Sequence, residues 1–241
     1  MLRPFCVPLM FTSLLLASCA SAPTALEVVS QPDSRSALAD VYDVLQSAGG
    51  RVFALESARS QVRIYAFRGG RAAAMGHNHV LTAPQFEGYF YRASSGAGKS
   101  RFDLAFRLDQ LVLDDPALRT ALGGGFAGVL AEDAIARTRE NMLGANNFQA
   151  QQFPWMRVRS LQIVGEPPKF AAQVAVELHG QTREMWVPLT VTGLPEQLQV
   201  TGSMVLRQSE FGVQAYSVLG GLLAVEDAIV VDFTLQGSER R

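Results

Sequence analysis

His77, Asn78 and His79 are the residues whose types and spacing could most directly do chemistry. In an extended segment the two imidazoles project to the same side, about 7 Å apart at the backbone. That spacing could present two nitrogens to Zn²⁺ or Cu²⁺, and His179, the remaining histidine of the chain, or nearby carboxylates would have to complete the site. The alternative is that these histidines hydrogen-bond the local backbone and organise a connection between two early strands. Arg137, Arg139 and Glu140 form a second polar group. A guanidinium offers a planar fork to phosphate or carbonyl oxygens, so the group could orient a ligand headgroup at a cavity mouth. It could equally form helix-surface ion pairs or fasten a helix to a rim. Catalysis has no comparable foothold. There is no G-x-S-x-G turn, Gly123-Gly124-Gly125 lacks the Lys of a phosphate loop, and the adjacent Glu132 and Asp133 point apart on a helix. We assign no catalytic residue and expect a protein that is not an enzyme.

The elements that must position these residues are mainly strands. Val62, Ile64 and Ala66 alternate with more polar neighbours, as do Phe102, Leu104, Phe106 and Leu108. The period of two recurs at Val174 to Leu178, Met185 to Val191, Leu198 to Leu206 and Ile229 to Leu235. Weaker runs at Val52–Glu56, Phe86–Tyr91 and Trp155–Val164 bring the expected number of strands to eight or nine. Gly180-Gln181-Thr182 and Thr192-Gly193-Leu194-Pro195 read as hairpin turns. One stretch, Pro116 to Ala145, departs from this rhythm; it predicts a helix over about 131–143 with Ile135, Met142 and Leu143 on its apolar side. A short amphipathic helix is expected before Gly49-Gly50, with Leu38, Val41, Tyr42 and Leu45 at helical spacing and Asp33 or Ser34 as its cap. So many antiparallel strands with a helical excursion must close into a barrel or fold into a sandwich, because open edges invite aggregation.

The chain begins with Arg3, an apolar run from Phe5 to Leu16, and the small residues Ala17 and Ser18 before Cys19. This order is that of a removable signal segment, expected over 1–18. Leu-Ala-Ser-Cys resembles a bacterial lipobox, which implies that Cys19 becomes the acylated amino terminus. Two or more acyl chains hold a protein durably at a membrane. Residues 19–50 then serve as a tether carrying the short helix, and residues 51–241 as the barrel domain. Ala20 and Ser21 include no Asp of the kind that retains many lipoproteins in the inner membrane, so an outer-membrane anchor facing the periplasm is expected. Cys6 and Cys19 are the chain's two cysteines, so the mature body would hold no thiol for a disulfide or a redox motif. With Lys+Arg 21 against Asp+Glu 22 there is no basic surplus for a nucleic acid. With 48% hydrophobic residues over 241 positions, the chain can fill a core or line an apolar cavity.

Three segments in order resemble the YceI-like family: Arg137 to Leu143 followed by Asn147-Phe148 and Phe153-Pro154; Leu178-His179-Gly180-Gln181-Thr182; and Leu206 to Gly212. The resemblance covers roughly Arg51 to Gln236. It departs from the family pattern at Glu140, at a missing His in that first segment, at Glu210 before Phe211, and in the inserted loop Ala121–Val129. It implies an antiparallel eight-stranded, lipocalin-like barrel whose elongated cavity holds a long-chain lipid, such as an isoprenoid or quinone-like tail. Phe102, Leu104, Phe106, Met142, Phe148, Phe153, Trp155 and Phe211 are then the candidate ligand-contacting residues. A metal-binding or stress-response envelope protein using His77 and His79 is the alternative, and a ligand-free structural module filled by its own side chains is a third.

Overall fold

The structure, a computed structural model, describes residues 34–240. The expected signal segment, Cys19, the tether up to Pro32 and the Asp33 cap lie outside the described residues. Helix α1 (Ser34–Ser47) precedes β1 (Arg51–Leu55), β2 (Gln61–Gly69), β3 (His79–Thr82), β4 (Glu87–Arg92), β5 (Arg101–Arg107) and β6 (Val112–Leu113). Helices α2 (Pro116–Leu122) and α3 (Glu132–Leu143) follow. The chain then runs through β7 (Trp155–Glu166), β8 (Lys169–Leu178), β9 (Gln181–Thr192), β10 (Gln197–Arg207), β11 (Ser217–Val218) and β12 (Leu223–Glu239). All nine runs with a period of two are strands. The three additional ones, β3, β6 and β11, have four residues or fewer and are too short to show a period.

The sheet closes into a ring in the order β1-β4-β5-β7-β8-β9-β10-β12, with β12 pairing back to β1 at Phe53↔Glu239. This is the eight-stranded antiparallel barrel. Its twelve strands reduce to eight because three chain segments bend, each supplying two strands, and β11 pairs with β12 outside the ring. The same edge of β12 takes β2 over Ala224 to Thr234 and then β1 over Gly237 to Glu239. Next to them, β3 pairs with β2 and β4 with β1; beyond, β6 pairs with β3 and β5 with β4. Segments 51–69, 79–92 and 101–113 are thus three bent staves beside five straight ones.

The helical excursion lies between β6 and β7. Asp115 caps α2 by accepting a hydrogen bond from the Leu118 N–H at 2.8 Å, and Pro116 occupies the first turn, where its missing donor costs nothing. On α3, Ile135, Met142 and Leu143 pack against the core, the face their spacing predicts. Arg139 fastens α3 to the end of the β5–β6 stave, donating to the Leu111 carbonyl at 2.6 Å and also to that of Asp109.

Helix α1 lies over the outer wall. Asp103 on β5 points away from the barrel interior yet is buried, because Tyr42 of α1 covers it and donates to Oδ2 at 2.7 Å. The Tyr42 ring stacks on Tyr89 at 5.1 Å, and Arg101 both pairs with Asp103 at 2.8 Å and lies over the Tyr42 ring. Burial, and then the Asp103 charge, push the phenol well above the ordinary tyrosine range, so Tyr42 stays a neutral donor. Tyr42→Phe deletes a hydrogen bond to a charged acceptor and is expected to cost about 2 kcal/mol. Denaturant unfolding of the two proteins checks this, and an unchanged midpoint would dismiss the docking role.

Candidate functional site

The barrel interior divides into two halves. In one, side chains meet across the axis: Val176 and Leu178 of β8, Leu206 of β10, Ile229 of β12 and Phe211 are all buried together. In the other, the walls stand apart around a cavity of about 840 Å³. Its lining follows the period of two. Phe102, Leu104 and Phe106 come from β5, Val187, Leu189 and Val191 from β9, Leu198, Val200 and Met204 from β10, and Val231, Phe233 and Leu235 from β12. On β10 the inward position between Val200 and Met204 is Gly202. A Cβ there would stand 2.5 Å from the Phe233 ring, so the absent side chain is the space in which that ring lies.

Strand β7 changes phase within the wall. Met156 and Val158 line the cavity at even positions, and Ile163 and Gly165 at odd ones, because a β-bulge intervenes between Ser160 and Gln162. The mouth is formed by the β4–β5 loop, the β7–β8 turn at Glu166 to Pro168, and the β9–β10 turn at Thr192 to Leu194. Arg92 and Glu166 are the ionisable residues of the lining, and both are exposed at this mouth. Below them the walls are apolar. Such a chamber removes hydrocarbon from water at about 25 cal/mol per Å² of apolar surface.

Of the residues expected at the ligand, Phe102, Leu104 and Phe106 line this cavity. The other five stand elsewhere, among the elements of the filled end. Met142 and Phe148 pack on the core from α3 and the loop after it. Phe153 lies edge-on to His179 at 4.8 Å, and Trp155 sits beneath the guanidinium groups of Arg107 and Arg157 at 5.4 and 5.5 Å. Phe211 is wholly buried in a turn after β10. Sequence could not separate these two populations of aromatics, since both are apolar and only the topology assigns each to an end. The polar group placed at a rim is likewise at the filled end. Arg137 pairs with Asp133 at 2.7 Å on an exposed helix face, Arg139 holds α3 down, and Glu140 is exposed. Arg92 and Glu166 hold the mouth instead, and being single charges at strand ends they carried no motif to mark them.

The paired histidines have a structural setting. His79 donates from Nδ1 to Asp114 Oδ2 at 2.6 Å. Asp114 Oδ1 accepts from the Val80 N–H at 3.1 Å and from Arg119 at 2.7 Å. Arg119 of α2 also donates to the carbonyls of Asn78 and Gly128, and its side chain is 2% exposed beside a fully buried Asp114 carboxylate. Burial opposes ionisation of Asp114, but the bonds from His79, Val80 and Arg119 overcome it and hold the carboxyl below its ordinary range. The cluster ties α2 and the glycine-rich loop to β3. His77 is exposed and precedes β3, so the two imidazoles do not share an extended strand. Among the described residues, no group of three or more His, Cys, Asp or Glu is placed to hold a metal ion. His179 forms the two-residue β8–β9 turn with Gly180, both at positive φ, and donates to the Phe211 carbonyl at 3.1 Å.

Comparison with known proteins agrees with this architecture. A family model described as the YceI-like domain matches residues 56–237. The structure is similar to that of Burkholderia cenocepacia BcnA, with a TM-score of 0.56 and 14% identity, covering 76% of this chain and 98% of that one. It is also similar to a Campylobacter jejuni YCEI protein at a TM-score of 0.49 and 9% identity, covering 67% of this chain and 85% of that one. No curated protein matches the sequence.

Proposed function

The chain belongs to the YceI-like domain family, and from that premise we propose that it binds a long-chain apolar lipid, of isoprenoid type, in the open half of its barrel. The observation that carries the reading is the cavity of about 840 Å³ with apolar walls and a polar mouth. A hydrocarbon tail fits the walls, and a headgroup meets Arg92 and Glu166 where water still reaches them. The open half speaks against a purely structural module, and the His79–Asp114–Arg119 cluster gives His79 a role without a metal. We read the protein as a binder or carrier. Native mass spectrometry of the full chain, followed by mass spectrometry of its organic extract, tests this. Near-equal stoichiometry of a long-chain lipid supports it, and protein purified repeatedly with no excess mass counts against it.

The Leu16-Ala17-Ser18-Cys19 sequence supports a lipid anchor at Cys19 and a body facing the periplasm from the outer membrane. Cys19→Ser is expected to move the protein from the membrane pellet to the soluble fraction of lysed cells. An unchanged distribution would dismiss the anchor.

A further inference from the structure

We infer that the barrel measures chain length, taking one hydrocarbon chain of about the depth of a single bilayer leaflet and excluding longer prenyl tails. This rests on the lipid-binding reading and names the class of lipid. The cavity lining stops at a definite position along five strands of the ring. Phe106 on β5, Met156 on β7, Val174 on β8, Met204 on β10 and Val231 on β12 line the cavity. The next inward positions, Val176, Leu206 and Ile229 on the last three, are buried in the filled half and do not. Phe106 is 3% and Met156 4% exposed, so they close a floor rather than open a passage. Phe211, fully buried and held through its carbonyl by His179, stands in the packing of the filled half.

The depth follows from the strands. On β10 the lining runs from Leu198 to Met204, and on β7 from Met156 to Gly165 with one residue taken up by the bulge. At about 3.3 Å per residue and a barrel tilt near 40°, these spans give roughly 15–20 Å from floor to mouth. One leaflet of a bilayer has a hydrocarbon depth of about 15 Å. Extended, farnesol and geranylgeraniol are of about this length, and solanesol is far longer.

The full chain, stripped of lipid, is offered an equimolar mixture of farnesol, geranylgeraniol and solanesol, and the retained alcohols are read by native mass spectrometry. The native chain should retain solanesol at least tenfold less than geranylgeraniol. Phe106→Ala lowers the floor and should raise the ratio of geranylgeraniol to farnesol; Met204→Trp raises it and should reverse that preference. Two floor variants are used so that misfolding of one leaves the other to decide. Retention of solanesol equal to that of geranylgeraniol, or an order unchanged in a folded floor variant, overturns the length limit while leaving lipid binding in place. Failure of the native chain to retain any of the three overturns the limit together with the lipid-binding reading.

Discussion

Val200→Asp should empty the barrel, leaving less than a tenth of the lipid that the native chain retains. Val200 lies opposite Val191 on β9 and Leu235 on β12, and all three line the cavity. A carboxylate there faces hydrocarbon on both sides. An unpaired charge in such surroundings carries an effective penalty of several kcal/mol. At tenfold per 1.4 kcal/mol, that is at least a hundredfold in affinity. Without ligand the charge is hydrated inside an open chamber, so the fold should survive. Val205→Asp on the same strand is the control, since Val205 points outward and is 57% exposed. It should retain lipid like the native chain. Extraction and mass spectrometry of the three proteins, with circular dichroism to establish folding, decides the matter. If the Val200 variant is folded and still full, the chamber is not where the lipid lies.

Asp114→Asn should be the most damaging single change outside the chamber, at about 3–5 kcal/mol, the range for breaking a buried ion pair by removing one partner. The amide keeps the shape and tolerates the left-handed backbone that Asp114 adopts, at φ 54°, but it leaves Arg119 buried with no counter-charge. Adding Arg119→Met removes the stranded cation and should restore part of the loss, a recovery that a generic packing defect would not give. The sign of the pH dependence is fixed by the lowered carboxyl of Asp114. Its contribution is fully present above the unfolded-state pKa, near 4 for an aspartate. It is lost as pH falls through the lower folded-state value. The native chain should therefore lose stability below about pH 4 more steeply than the Asp114→Asn variant. Urea unfolding at neutral and acidic pH reads both effects, and a cost under about 1 kcal/mol at neutral pH would reject the buried-pair account.

What could be read from the sequence divides along physical lines. Strands that keep one phase, such as β5 and β10, declare their extent and one apolar face, and closure of the ring decides that this face looks inward. β7 reads weakly because its bulge swaps the phase between Val158 and Ile163, so that neither parity is apolar throughout. β3 and β6 are strands only because β2 and its neighbours bend, which is a property of the closed ring and not of a four-residue window. α2 was hidden behind a glycine-rich loop, although Asp115-Pro116 at its start is a capping pair. At the candidate site, apolar alternation pointed to Phe102, Leu104 and Phe106, whereas the level at which the interior fills depends on residues from five strands meeting in space. Asp114 and Arg119 were not singled out at all. A lone charge in sequence reads as solvated surface until its burial is known.

The seam at β12 has a consequence for how the protein acquires its form. Its partners across the closing edge, β1 and β2, are the earliest strands in the chain, and Phe53 must find Glu239. Contacts of such sequence separation raise the contact order, and chains dominated by them fold slowly, in milliseconds to seconds. Neighbouring hairpins such as β8–β9 can form early, but the chamber itself does not exist until the last seventeen-residue strand is laid between β10 and β2. Until then those two strands present unpaired edges, the state in which β proteins associate wrongly. Closure of the ring and the appearance of an apolar interior are thus one late event, and an apolar molecule that enters at that moment stabilises the closed form by mass action.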